Sequence, residues 1–201
     1  QITTLDPGLS QETVNDYILR HTTAGLFHTD ENGQTVNDLC QDYTVSEDGL
    51  TYTFTLRSGV QWSDGQPLTS DDFEYAIIRN LTYGADNAWS IYYPSTYLAG
   101  AAEIAGNSDL DPTVTTIEGV ETPDDSTLVL HLTKPCAWFI QMLTNDVWRP
   151  LRADFADAHD SLWSLEAGYP SVGPYLLQSC NENERAVIVK NENYYNADEV
   201  V

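Results

Sequence analysis

Between Thr51 and Leu56 apolar and polar positions alternate strictly. Tyr52, Phe54 and Leu56 take one face, and Thr51, Thr53, Thr55 and Arg57 the other. A period of two predicts a half-buried strand. The alternation then breaks at "SGVQWSDGQPL", a Gly- and Asp-rich turn carrying Trp62. Beyond it Phe73, Ala76, Ile77 and Leu81 recur at helical spacing. Thr69 or Ser70 supplies the cap, and Asp71 and Asp72 sit in the first turn, where the helix dipole favours acids.

The same logic covers the rest of the chain. Asn15 to Ala24 reads as a helix with Val14, Ile18 and Tyr17 on its apolar face. Asn32-Gly33 in "HTDENGQTV" signals a two-residue hairpin turn, and Glu47-Asp48-Gly49 leads into the alternating strand. "PSTYLAGAAEIAG" fits one Ala-rich helix. "TTIEGVETPDDSTLVLHL" reads as a hairpin with Leu128, Leu130 and Leu132 inward, and Pro135 as the opening of a helix through "CAWFIQML". A last hairpin is predicted over Tyr175–Ser179 and Arg185–Lys190, turning at Asn181-Glu182-Asn183. Helices interspersed with hairpins predict a mixed α/β (α+β) fold rather than a purely parallel sheet.

Composition narrows the function. Apolar residues make up 41% of the 201 positions, which places the chain among globular proteins. Eight basic against 31 acidic residues give a net charge of −23. That excludes nucleic acid as a partner, because phosphate binding needs clustered Lys and Arg, and it disfavours an anionic membrane surface. No apolar run approaches the ~20 residues of a membrane span. Gln1-Ile2-Thr3-Thr4 has no leader character, so the sequence is expected either to start downstream of a leader or to lack one.

Chemistry-bearing motifs are sparse. There is no GxSxG, P-loop, GxGxxG or HExxH, and no cofactor or metal is expected. Cys40, Cys136 and Cys180 form no CxxC; one disulfide with a free thiol and three buried thiols both fit. His131, between Leu130 and Leu132, belongs on the outer face of its strand. Asn80-Leu81-Thr82 matches a glycosylation sequon but falls on a predicted helix. No pair of carboxylates stands out as an acid–base couple. Trp89, Tyr92, Tyr93 and Tyr97 crowd one segment beside Gly84 and Pro94, suited to a ligand cleft or to ordinary core packing. Aromatics and acids together also allow a carbohydrate-binding or glycoside-processing domain.

"LTYTFTLRSGVQWSDGQPLTSDDFEYAIIR" closely resembles the signature of the extracellular solute-binding proteins, family 5, the oligopeptide- and dipeptide-binding components of ABC importers. Tyr52, Phe54, Leu56, Arg57, Gly59, Val60, Trp62, Asp64, Gly65, Pro67, Thr69, Asp72 and Phe73 all fit that signature in one register. "TTLDPGLSQETVND", "DDSTLVLHLTKPCAWFIQML" and "PSVGPYLLQSCNENERAVIVKNENYY" resemble further blocks of the family, in the family's order. "VGPY" departs slightly, lacking the usual Asn or Gly before its glycine.

The resemblance implies the first lobe only of a periplasmic-binding-protein type II-like fold. Residues 1–24 and 153–201 would form its base, 25–152 an inserted subdomain, and the second lobe would be absent. It implies that Trp62, packed inside, and Asp64 fix the turn rather than touch ligand. It places the ligand-facing positions at Ser10, Gln11, Glu12 and Thr13, at Trp89, Tyr92 and Tyr93, and at Asn145, Trp148 and Arg149. It implies a binder rather than an enzyme. The expected partners are a peptide ligand and the ABC permease subunits, outside the cell or in the periplasm, with lipid anchoring of the full-length protein. Members that bind nickel chelates, haem or oligosaccharides leave the ligand open. A lone lobe is further expected to bind weakly and to self-associate.

Overall fold

The computed structural model describes residues 2–10, 12–83, 88–156, 163–181 and 185–200. Its centre is an antiparallel four-stranded sheet in the order β3-β4-β6-β5, formed by β3 (Cys40–Val45), β4 (Thr51–Leu56), β5 (Val120–Asp124) and β6 (Thr127–His131). β4 follows its alternation: Tyr52, Phe54 and Leu56 are buried, and Tyr52 and Phe54 pair with Leu130 and Leu128 of β6. Two hairpins flank the sheet, β1 (Phe27–Thr29) with β2 (Thr35–Asn37), and β7 (Tyr175–Asn181) with β8 (Arg185–Lys190). The β1–β2 turn is longer than two residues: the Asp30 N–H donates to the Gln34 carbonyl and the Gly33 N–H to the Asp30 carbonyl. Of the turn expected at Asn181-Glu182-Asn183, Asn181 ends β7 and the other two residues lie outside the described residues.

Helix α2 (Ser70–Tyr83) lies between two apolar clusters. Phe73, Ile77, Ile78 and Leu81 join the large cluster containing Tyr52, Phe54, Leu56 and Trp62. Tyr75 and Ala76 join a smaller one with Ile2, Leu5, Leu19, Tyr169 and Leu177. The stripe Phe73, Ala76, Ile77, Leu81 is buried throughout, as its spacing predicts. Asn80 is buried too and donates to the Val147 carbonyl at 2.8 Å, so the sequon offers no exposed acceptor.

The Trp62 turn has its own wiring. The Trp62 indole N–H and the Thr69 backbone N–H both donate to Asp72 Oδ2, each at 3.0 Å. The second bond is half of a capping box, closing the helix N-terminus. Burial pushes the Asp72 carboxyl up to about 6, against the lowering effect of those two bonds. Ser63 exchanges hydrogen bonds with Ser171, and Arg152 pairs with Asp64 and Asp154, so the turn is tied to the C-terminal third.

Three helices depart from the periodicity. α1 (Thr13–Thr22) buries Asn15, Leu19 and Thr22, while Val14 and Tyr17 face solvent. The Ala-rich segment divides into α3 (Ala88–Tyr97) and α4 (Ala101–Ile104). Gly100 separates them with a left-handed φ of 74°, and a Cβ there would crowd the Glu118 backbone nitrogen at 3.3 Å. α5 is a single turn, Phe139–Met142, starting four residues after Pro135, and α6 spans Ala153–Ala156. Cys40 and Cys136 are buried free thiols, and desolvation raises the Cys40 thiol to about 11.

Candidate functional site

An open concavity of about 800 Å³ lies where the end of α1, β1, α3, and the α5 turn with its following loop converge. Its position rests on three local features. At "SVGPY", Gly173 meets the end of α1 so closely that a Cβ would lie 2.4 Å from the Thr22 carbonyl carbon. Tyr169 Oη donates to Thr22 Oγ1 at 3.3 Å, and Ser171 Oγ donates to the Thr22 carbonyl. Asn191 of "NENYY" donates from Nδ2 to the Gly173 carbonyl at 2.8 Å. These contacts fix the end of α1 against the chain that carries Pro174 and Tyr194 into the lining.

The second feature is Arg149. Its guanidinium meets Asp146 Oδ1 at 2.6 Å and donates to the Leu19 carbonyl at 2.8 Å and to Thr23 Oγ1. A cation on the last carbonyls of α1 also complements the helix dipole. Burial raises the Asp146 carboxyl even beside this cation. The third is Asp38, which accepts from Tyr195 Oη at 2.8 Å and lies 3.7 Å from His28 Nδ1. The bond to Asp38 is the main cause raising the His28 imidazole.

Of the residues expected to face ligand, Tyr93, Asn145 and Arg149 share the lining of this concavity. Trp89 and Tyr92 are exposed and continue from it along α3: Trp89 stacks on Tyr93 at 5.3 Å, and Tyr92 lies edge-on to both. Ser10, Glu12 and Thr13 sit at the start of α1 and do not themselves line the concavity, but Ser10 Oγ donates to Oδ1 of the lining residue Asp16 at 3.5 Å. Gln11 lies outside the described residues. Trp148 corrects the expectation. Its ring is 2% exposed, edge-on to Phe139 at 6.0 Å, and belongs to the core. Sequence reasoning did not single out His28, Trp138, Met142 or Tyr194 as lining. Only Tyr194 carried a signal, through its place in the "NENYY" block.

Among the described residues no group of three His, Cys, Asp or Glu side chains could hold a metal, and no helix is long and apolar enough to cross a membrane. Arg149 is paired with Asp146 and His28 faces Asp38, so the site can hold a solute by surface contact and hydrogen bonding; among the described residues of the lining there is no nucleophile–base pair.

Fold and sequence place the chain in one protein family. The chain belongs to the bacterial extracellular solute-binding proteins, family 5, whose middle-region pattern matches residues 34–201. Among its relatives, the oligopeptide-binding protein OppA of Bacillus subtilis is 31% identical over 199 residues, covering 98% of this chain and 35% of that protein. The probable deoxycholate-binding periplasmic protein YgiS of Escherichia coli is 32% identical, over 98% of this chain and 36% of that protein. A periplasmic oligopeptide-binding protein structure from Borrelia burgdorferi superposes with a TM-score of 0.86 at 28% identity, over 98% of this chain and 39% of that one. Haemophilus influenzae OppA, in complex with RPPGFSPFR, gives 0.86 at 25%, over 97% and 37%. The chain thus spans about a third of the length of the relatives it matches. The mixed α/β architecture is that of part of an oligopeptide-binding protein.

Proposed function

We propose that this chain is one lobe of the substrate-binding component of an ABC importer. It would capture oligopeptides or dipeptides outside the cell and pass them to the membrane permease. The observation that carries the reading is the concavity bounded by α1, β1, α3 and α5, in a chain whose relatives include several oligopeptide-binding proteins. Its volume suits a small ligand. Tyr93 and Asn145 line it, with Trp89 and Tyr92 beside it, so they are the contacts we assign to solute; Arg149 holds the wall.

On this reading the rest of a protein of the relatives' length supplies the opposing wall, and closure of two lobes buries the solute. Residues 1–24 with 153–201 act as the base of this lobe and 25–152 as its inserted subdomain. Lipid anchoring of the full-length protein and self-association of the lone lobe belong to the same proposal.

A thermal-shift screen tests the ligand class. Di- and oligopeptides, deoxycholate, sugars and metal chelates are offered to the longer protein that carries this chain. Stabilisation by peptides is the expected result; stabilisation by sugars, chelates or deoxycholate alone would overturn the peptide reading.

A further inference from the structure

Trp138 borders the concavity and is 57% exposed, yet its neighbours are fixed from both sides. Cys136, two residues before it, is buried, and its carbonyl accepts from Tyr52 Oη at 3.3 Å. Phe139, the next residue, is fully buried, 4.8 Å from the Tyr52 ring and 6.0 Å from Trp148. The Trp138 carbonyl accepts the Met142 N–H at 3.0 Å. The backbone that presents the indole is therefore held by the core, while the indole itself has no aromatic partner among the described residues. Tyr93 and Tyr97 line the same concavity from α3, and Met142 from α5.

The charges of this lining are compensated internally. Arg149 is paired with Asp146, and His28 faces Asp38. Asp16 and Arg20, also in the lining, are opposite charges one helical turn apart on α1. With Asp16, Asp38 and Asp146 set against Arg20, Arg149 and His28, the wall offers a solute little net charge; among its rings Tyr93 stacks on Trp89 and Lys134 lies over Tyr97, which leaves the Trp138 indole as the ring without such a partner among the described residues.

Resting on the function proposed above, we infer that Trp138 is a specificity-determining residue. With Tyr93 it selects solutes carrying an aromatic or large aliphatic group over charged or small ones. A tryptophan on a held backbone has only two side-chain torsions left to order, so the preference costs little conformational entropy.

The test is a two-dimensional NMR titration of this 201-residue chain with Ala-Phe-Ala, Ala-Leu-Ala, Ala-Asp-Ala, Ala-Lys-Ala and Ala-Gly-Ala at millimolar concentration. The Trp138 indole N–H signal is assigned by its loss in Trp138→Phe. The Phe and Leu peptides should move that signal and bind about five- to tenfold tighter than the other three, the scale of one good aromatic contact. In Trp138→Ala the advantage of Ala-Phe-Ala over Ala-Gly-Ala should disappear, the two being compared in the same variant. Binding of all five with equal affinity, or with the Trp138 signal unmoved, overturns the specificity role and leaves the solute-binding reading standing. Failure of every peptide to perturb any lining residue, in this chain and in the longer protein that carries it alike, overturns both.

Discussion

Trp62 shows how far a single residue could be read from sequence. The resemblance of its turn to the solute-binding signature implied an inward ring, and Trp62 is 4% exposed. Trp62→Ala should cost about 3–5 kcal/mol, read from urea denaturation; a loss under about 1 kcal/mol would mean the ring contributes little to the core. Its partner Asp72 sets a pH dependence. Folded, this carboxyl titrates at about 6; unfolded, it titrates at its ordinary lower value. Between those pH values the folded state holds a proton the unfolded state lacks, so this residue makes stability fall as pH rises. The contribution is complete below the unfolded value and lost as pH passes through about 6. In Asp72→Asn an amide oxygen can still accept from Trp62 and Thr69, and the titration disappears. The variant should gain on the wild type steadily from pH 4 to 6; parallel stability curves would refute the assignment. Trp148 marks the limit of such reading. "NDVWR" has no periodicity, and the Trp148 ring turns inward into the large apolar cluster, edge-on to Phe139.

At the scale of elements, strands were more legible than helices. β4 and β6 bury alternate residues, and the alternation is visible in the letters. α1 hid its buried face because that face is partly polar. Thr22 Oγ1 donates to the Ile18 carbonyl at 3.1 Å and accepts from Tyr169, so a polar side chain is satisfied inside. Val14 and Tyr17 then remain outside although they are the more apolar residues. The split at Gly100 was hidden for a related reason: an Ala-rich run favours helix locally, and the glycine's close approach to Glu118 overrides it. One long-range tie between elements could not be foreseen. Arg79 of α2 grips Asp6 of the "LDP" turn, with Nη2 to Oδ2 at 2.7 Å and Nη1 to Oδ1 at 3.3 Å, and Asp6 is fully buried. Arg79→Met should cost about 3–5 kcal/mol, because it strands a buried carboxylate. Most of that loss should return in Asp6→Asn/Arg79→Met. A single variant as stable as wild type would show that the pair does not hold the turn to the helix.

For the whole molecule, the signature blocks made the fold legible because their order along the chain is the order of β4, α2, the β5–β6 hairpin and the β7–β8 hairpin. The site was less legible: its lining is gathered from segments between residues 16 and 194, and much of it comes from loops whose side chains follow no period. The smaller apolar cluster joins Ile2, Leu5 and Leu19 to Tyr169 and Leu177 of the proposed base. Tyr75, Ala76 and Leu151 enter that cluster from the inserted part. The central claim is that this chain is one wall of a two-walled solute site. Association costs an estimated ~4–15 kcal/mol in lost freedom, so one wall leaves little surplus affinity. Calorimetry with the same peptide pool, on this chain and on the longer protein that carries it, tests the claim most directly. The account predicts affinity in the longer protein at least about a hundredfold tighter, a difference of about 2.7 kcal/mol, with only millimolar binding to this chain. Equal micromolar affinity in both would contradict it, because a single lobe would then be the whole site.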